Sequence, residues 1–576
     1  MKRMFAASLL ALVVGCTSAP IDMKPMTSAP APSITRYESR FHPVIADGGM
    51  VVSQNDIATA VGRDILARGG NAVDAAVATA FALAVTLPRA GNIGGSGFML
   101  VHDAGAGETV AIDFRSAAPG GLSLDDIRRE DGGIDYDEIR LGADAAAIPG
   151  TVAGLYAAWE SEGSMPWAEL VAPAVALARD GIPVSYDLAF VLQSYSDNFR
   201  MFPASAGKFL KADDSNYMAG EIWRQPLLAD SLDMIATGGA DVLYRGELGA
   251  AIVEAVRADG GYFDVQDFAN YEAKVRPVLE TDYRGYRVQS MPPASGGGLT
   301  LIQMLNVLKQ FDVASLPQEG AASIHLLAEV MKRAAANRRV AIGDPDYVDV
   351  PTDGFLSDEL ASELARSIDL RRATPVDEIE ALDAFSFEGP DTTHLSVVDG
   401  EGNAVSLTYT LGSSFGSGYV VPGTGILLDN QIRNFSLRDA DHANHIAPGK
   451  RMVSTMTPTI VLDEDGDVFL VTGTPGGSRI INVILQVIVN MIDYEMNVAA
   501  ATAAPRIYQG WRDEELFLEP GFSPDTWALL LQRGHIVRPQ LTMGSSQSIA
   551  VDGDLLHGAA DPRRPGALAL GVQRPR

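Results

Sequence analysis

A layered α+β fold is what this sequence predicts, rather than a helical bundle or a pure sandwich of strands, and three observations carry it. Helix-like and strand-like segments alternate in blocks along the chain. The stretch from Thr392 to Thr410 reads as a β-hairpin rich in Val, Thr and Tyr. The turn Pro475-Gly476-Gly477 leads into an apolar run whose only polar residues recur every four positions.

Taken in order, the first element is a leader. Lys2 and Arg3 precede an apolar run over 4–15 that is too short to span a bilayer as a helix. The run ends in Val13-Val14-Gly15-Cys16, which resembles a bacterial lipobox, where the cysteine becomes the lipidated first residue of the mature protein. Residues 1–16 therefore read as a lipoprotein-type signal peptide, with a plain signal peptide as the alternative. Cys16 is the sole cysteine, so no internal disulfide is possible. Prolines at 20, 25, 30 and 32 mark residues 17–35 as a flexible linker. The expectation is an exported, periplasmic lipoprotein held to the membrane by its lipid anchor alone. Thr17 after Cys16 gives no inner-membrane retention signal of the aspartate type, and no later segment reads as a membrane span.

The rest has a globular composition, with 47% of all 576 residues hydrophobic, enough for one large domain or two to three ordinary ones. Acidic residues outnumber basic ones by 73 to 44, for a net charge of −29. That field repels phosphate backbones and excludes nucleic acid as a partner.

Gly69-Gly70-Asn71 followed by an alanine-rich run to Leu87 predicts a helix, with Asn71 as N-cap and Asp74 in its first turn. Pro88 and Gly91 end it and lead into the turn Gly91-Asn92-Ile93-Gly94-Gly95-Ser96-Gly97. Strands follow at 98–102 and 109–114. Short helices are expected through much of 150–280 and 320–375, and strands over 392–411 and 459–472. In the hairpin, Asp399-Gly400-Glu401-Gly402-Asn403 forms the turn. A loop of 400–402 pairs 399 with 403, and counting outward sets 392 opposite 410. Opposed residues have Cβ atoms roughly 4.5–5.5 Å apart, so this register brings the hydroxyls of Thr392 and Thr410 together. A one-residue slip would separate them. The run over 480–492 carries only Asn482, Gln486 and Asn490 as polar residues, one stripe on an otherwise buried helix. Gly476 and Gly477 precede its N-terminus, where unpaired N–H groups can hold a developing oxyanion. Glycines required only by a packing turn are the alternative.

These residues carry a resemblance. Asp391-Thr392-Thr393-His394-Leu395-Ser396-Val397-Val398-Asp399, followed by Gly402-Asn403-Ala404-Val405, resembles the processing site of the gamma-glutamyltransferases, N-terminal-nucleophile hydrolases. Segments 69–76, 91–100, Asp113-Phe114-Arg115, Ile148-Pro149-Gly150-Thr151, 292–299, Asn430-Gln431, Thr457-Pro458-Thr459, 475–479 and Asp561-Pro562-Arg563-Arg564 occur in family order. The likeness covers nearly everything from Val44 onward. It implies the αββα sandwich of that superfamily, needing neither cofactor nor metal. It also implies self-cleavage, in which Thr392 Oγ attacks the Asp391 carbonyl and the resulting ester hydrolyses. A large subunit of 36–391 and a small catalytic subunit of 392–576 would then stay together as partners. The chemistry is sound, because a freed α-amine with a pKa of about 7.7–8.0 can act as base for its own hydroxyl.

By the same resemblance, Thr410 is the second threonine that hydrogen-bonds the nucleophile, and Gly476 and Gly477 form the oxyanion hole. Arg115 grips the α-carboxylate of a glutamyl substrate with its bidentate fork. Ser454 and Thr455 stand near that carboxylate, and Gln431 near the α-amino group. The chain departs from the family where that amine would bind. Gly412 replaces an asparagine, Asn434 replaces an aspartate, and Ser116 stands where a glutamate often follows the arginine. The 435–454 region is also short for the family's lid loop, which suggests a more open pocket. Two enzyme readings follow: γ-glutamyl transfer or hydrolysis acting on glutathione and related peptides, and a glutaryl- or cephalosporin-type acylase, which Asn434 favours.

Rivals from other classes are weaker. Gly412-Ser413-Ser414-Phe415-Gly416 fits a nucleophile elbow, but Gly416, Gly418 and Pro422 replace the helix that motif needs. His442 and His445 are spaced for a metal but lack further ligands nearby. A non-catalytic binding lipoprotein would require a chain unable to process itself.

Overall fold

The 392–410 hairpin forms in the predicted register and lies at the centre of a seven-stranded sheet. Thr393 pairs with Tyr409 and Val398 with Ala404 in an antiparallel ladder. Asp399 fixes the turn, its carboxylate accepting from the backbone of Glu401 and Asn403 and from the Asn403 amide. The same carboxylate accepts from Ala72 N at 3.0 Å, tying the turn to the head of the Ala72–Thr86 helix. The computed structural model describes residues 39–129, 131–134, 136, 138–379, 391–437, 441–510 and 514–574. The expected leader, Cys16 and the 17–35 linker lie outside the described residues.

The central sheet runs Leu568–Val572, Gly49–Ser53, Thr393–Asp399, Ala404–Thr410, Ser96–Asp103, Glu108–Phe114 and Lys274–Pro277, antiparallel throughout. A second antiparallel sheet runs Val44–Ala46, Leu555–Ala560, Gln547–Asp552, Val468–Gly473, Thr459–Leu462, Tyr286–Ser290 and Leu279–Tyr283. Strands from before and after residue 391 interleave in both sheets, and the hairpin itself is flanked by Gly49–Ser53 and Ser96–Asp103.

Period-two alternation decides which face of each strand meets which layer. Val51, Met99, Leu395, Val397 and Leu407 pack with the helices Asp56–Ala67 and Ala72–Thr86. Their neighbours Met50, Val52, Phe98, Leu100 and Val398 face Ile460, Val471 and Ile549 of the second sheet. That sheet's outer face, with Val288, Val461 and Leu470, is covered by the helices Gly296–Leu308 and Ile480–Ile492. The layers are therefore α-β-β-α, the sandwich the resemblance implies.

Local signals explain the helices. Asn71 accepts from Asp74 N and Asp74 from Asn71 N, a reciprocal capping box. The polar stripe of Ile480–Ile492 is a tether: Gln486 exchanges two hydrogen bonds with Ile507, and Asn482 donates to Gln509 O. Short helices fill 151–270 as expected, packed on the outer face of the central sheet. Among the described residues no helix is long and apolar enough to cross a membrane.

Near the start of the hairpin the space between the sheets is polar. His394 shares hydrogen bonds with Thr408 Oγ1 at 2.8 Å and Ser396 Oγ at 3.0 Å, while Ser396 donates to Gln547 O and Ser406 to Thr472 O. Burial pushes the His394 imidazole down to about 3, so it is neutral in the folded protein. The unfolded chain binds that proton at about 6.5, so folding loses up to ~1.4 kcal/mol per pH unit as pH falls from 6.5 toward 3. Urea unfolding at pH 7 and pH 5 should show this loss, and a His394→Gln variant should show a smaller drop relative to its own pH 7 value.

Candidate active site

The register of the hairpin delivers Thr392 to Thr410, and two hydrogen bonds in series link the Thr392 hydroxyl to the carbonyl of the peptide bond before it, with a third from Gly412 holding Thr410. Thr392 Oγ1 donates to Thr410 Oγ1 at 3.4 Å, and Thr410 Oγ1 donates to the Asp391 carbonyl oxygen at 2.8 Å. Gly412 N donates to Thr410 Oγ1 at 2.9 Å. The single hydroxyl proton of Thr410 is thus spent on the Asp391 carbonyl, while its lone pairs accept from Thr392 and Gly412. Such a donor draws electron density from the carbonyl carbon beside the Thr392 hydroxyl. Both threonines are buried and line the same small pocket.

Gly412 is required by this turn. Its φ is +92°, and a Cβ there would lie 2.6 Å from Asn430 Oδ1, the acceptor that holds Ser413 N. After it Phe415 and Gly416 also take positive φ, +59° and +51°, and no helix follows Ser414. That geometry rules out the nucleophile elbow. On the opposite wall Gly476 and Gly477 have φ of +139° and +58° and open into the Gly477–Arg479 turn and the Ile480–Ile492 helix. The leading N–H groups of such a helix lack partners inside it. Thr455 Oγ1 holds the turn by donating to Gly477 O at 2.9 Å.

One small pocket collects most of the residues expected from sequence: Arg115, Thr392, Thr410, Asn434, Ser454, Thr455 and Gly477 line it, with Gly412, Met456 and Ile480. Gly476 adjoins the lining. Gln431 is placed elsewhere, fully buried behind the pocket, where its amide donates to Ser96 Oγ, Ser116 Oγ and the Asp429 carboxylate. Those acceptors draw it away from the pocket.

Arg115 ends the strand Glu108–Phe114 and is 1% exposed, which excludes a surface ion pair. Its guanidinium donates to Met452 O and Val453 O and reaches Ser96 Oγ at 3.4 Å. Behind it lies Asp429, which accepts from Ser116 Oγ, Ala147 N and Gln431. Burial pushes the Asp429 carboxyl up to about 6, against the pull of these donors and of Arg115. Ser116 stands where the family often has a glutamate, and Asp429 brings a carboxylate to the same neighbourhood from another segment.

Sequence reasoning missed two features here. Asp429 carried no local signal, because its partners are distant in sequence. Nor did the sequence connect Asp391 with Ser414 and Arg564. Ser414 Oγ donates to Asp391 Oδ2, and an Arg564 nitrogen lies 4.0 Å from Asp391 Oδ1. In the short 435–454 region, Asn444 binds Asn434 O and Val453 N, tying a pocket-lining residue to the segment that holds Arg115. His442 and His445 lie in this loop, where His442 Nδ1 accepts from Asn444 N. The residues His325, Glu329 and His535 cluster at ligand distance. Their atoms are committed, since the histidines bond each other and Glu329 pairs with Lys332 and Arg333.

Comparison with known proteins gives the geometry a family. The model of the family described as Gamma-glutamyltranspeptidase matches residues 58–571. The chain is 43% identical over 555 residues to the "Glutathione hydrolase proenzyme" of Escherichia coli (strain K12), covering 94% of this chain and 95% of that protein. It is 35% identical over 557 residues to the "Acylase ACY 1 proenzyme" of Pseudomonas sp. (strain SE83), covering 95% and 98%. Among solved structures, cephalosporin acylase from Bacillus halodurans matches with a TM-score of 0.84 at 30% identity, covering 95% of this chain and all of that one. With its family model spanning most of the sequence and relatives alike over nearly their whole length, the chain belongs to the gamma-glutamyltranspeptidase family.

Proposed function

We propose that this protein is the proenzyme of a glutathione hydrolase and γ-glutamyltransferase that cuts itself between Asp391 and Thr392. The observation that carries this reading is the hydrogen-bond chain from Thr392 through Thr410 to the Asp391 carbonyl. Thr392 Oγ adds to that carbonyl carbon, the bond to the Thr392 nitrogen breaks, and the nitrogen takes up a proton. Water then hydrolyses the ester, leaving a carboxylate on Asp391 and a free Thr392. The large subunit, 36–391, and the small one, 392–576, stay together because their strands interleave in both sheets. The leader and Cys16 fit export with a lipid anchor.

In turnover the Thr392 amine takes the hydroxyl proton as Oγ adds to the γ-carbonyl of glutathione or a related amide. N–H groups at Gly476 and Gly477 meet the oxyanion, and the leaving amine departs with a proton. Water, an amino acid or a peptide then takes the γ-glutamyl group from Thr392. Arg115, Ser454 and Thr455 receive the substrate's α-carboxylate, and Asn434 faces the α-amine. Gln431 supports Arg115 from behind through Ser96 and Asp429.

One observation favours a second reading. Among the described residues lining the pocket none is a carboxylate, so nothing there attracts an ammonium by charge. A glutaryl group, which lacks the amine, fits the same pocket, and the acylase relatives fit this reading.

On a denaturing gel the purified protein should give two bands, the smaller beginning at Thr392 by N-terminal sequencing, while Thr392→Ala stays one chain. A single band from the natural protein would support the non-catalytic alternative. Thr410→Val removes the donor to the Asp391 carbonyl and should slow the appearance of the two bands roughly 10²–10³-fold. Comparing kcat/KM for a γ-glutamyl anilide with its glutaryl counterpart decides the acyl group. The γ-glutamyl compound should be preferred, and a clear preference for the glutaryl one replaces this reading with the acylase.

A further inference from the structure

A second depression, of about 180 Å³, shares no lining residue with the Arg115 pocket and is linked to the Asp391 side chain through Arg564. Arg89, Tyr186, Asp187, Val191 and Arg564 are among its walls. Arg89 pairs with Asp187 at 3.0 Å. Arg564 is half-buried and belongs to both places, lining the depression while its guanidinium approaches Asp391. The uncut chain therefore holds a carboxylate, that of Asp391, between the Ser414 hydroxyl and the Arg564 guanidinium, one residue from the nucleophile. Cleavage would release that carboxylate from its tether to Thr392. Ser414 and Arg564 are anchored independently of it. Ser414 sits in the loop fixed by Gly412 N and by Ser413 N on Asn430, and Arg564 N donates to Asp561 O. Asp561 is in turn gripped by Arg506 and by Ser546 N.

We propose that Ser414 and Arg564 form a carboxylate subsite beside Thr392 that takes the C-terminal carboxylate of the peptide leaving from the donor substrate. The subsite rests on the γ-glutamyl reading above, because a leaving cysteinylglycine ends in such a carboxylate. Two extended residues reach about 7 Å, so this carboxylate extends past the position of Asp391 and toward the depression behind Arg564. Arg89 lies there too, its charge shared with Asp187, so Arg564 is the cation that the carboxylate meets first. The apolar side of Tyr186, 81% exposed as a residue, and Val191 offer a wall for the peptide's side chain.

The test compares three donors on mature enzyme: glutathione, glutathione with its glycine carboxylate converted to the amide, and a γ-glutamyl anilide. Rates are normalised to the amount of small subunit beginning at Thr392, so that slower maturation of a variant does not enter. A hydrogen bond to a charged group contributes about 1.5–3 kcal/mol, so the natural enzyme should prefer the acid over the amide by roughly 10-fold or more in kcat/KM. Arg564→Gln should bring that ratio close to one while changing the anilide less than about twofold, and Ser414→Ala should lower the ratio part of the way. A natural-enzyme ratio near one overturns the subsite without any variant. So does an Arg564→Gln enzyme that keeps the full ratio, or that loses as much on the anilide as on glutathione. An enzyme inert toward the anilide overturns the γ-glutamyl reading instead, so the two failures are distinguishable.

Discussion

The site depends on one hydroxyl. Thr410 has a single proton to give and two lone pairs to offer, and the fold uses all three. Its proton goes to the Asp391 carbonyl, and its lone pairs receive the Thr392 hydroxyl and the Gly412 N–H. Each contact is set by a different level of structure. Strand register sets Thr392 opposite Thr410, the tight turn at Gly412 supplies the N–H, and Asp391 stays in place through Ser414. A one-residue slip of the hairpin would send Thr392 to the helical side and undo all of them. The sheet resists that slip because both of its faces are buried, one against helices and one against the second sheet.

A second constraint is electrostatic. The pocket holds a buried guanidinium, Arg115, two of whose five N–H donors go to the backbone oxygens of Met452 and Val453. Burying a cation without a counter-charge is costly, and Asp429 supplies a carboxylate from behind. Among the described residues that line the pocket none is acidic, which suits it to a substrate carboxylate. The same absence leaves the amine of a glutamyl group with hydrogen-bond partners only, which is why the acyl preference is a matter for experiment.

The parts that could be read from the sequence are those governed by local rules. The capping box at Asn71 and Asp74 follows from two residues three apart, and the hairpin register from the length of its turn. The stripe of Asn482 and Gln486 revealed a buried helix, although not that its amides tether Ile507 and Gln509. What escaped are contacts between residues hundreds of positions apart. Gln431 looked like a pocket residue, yet Asp429, Ser96 and Ser116 hold it one layer behind. Ser414 was visible only inside a motif that the positive φ of Phe415 rules out, and Arg564 only as part of a family motif near the C-terminus. Their meeting at Asp391 needs the assembled sandwich, because the second sheet brings the 561–564 turn to the hairpin's open end.

The central claim is that Thr392, freed by cleavage, carries the acyl group. Rapid acid quenching during turnover of a γ-glutamyl substrate, followed by mass spectrometry of the digested small subunit, tests it directly. The account predicts a γ-glutamyl ester on the peptide that begins with Thr392, and none when Thr392 remains joined to Asp391. Steady turnover with the acyl group on another residue, or on none, would contradict it.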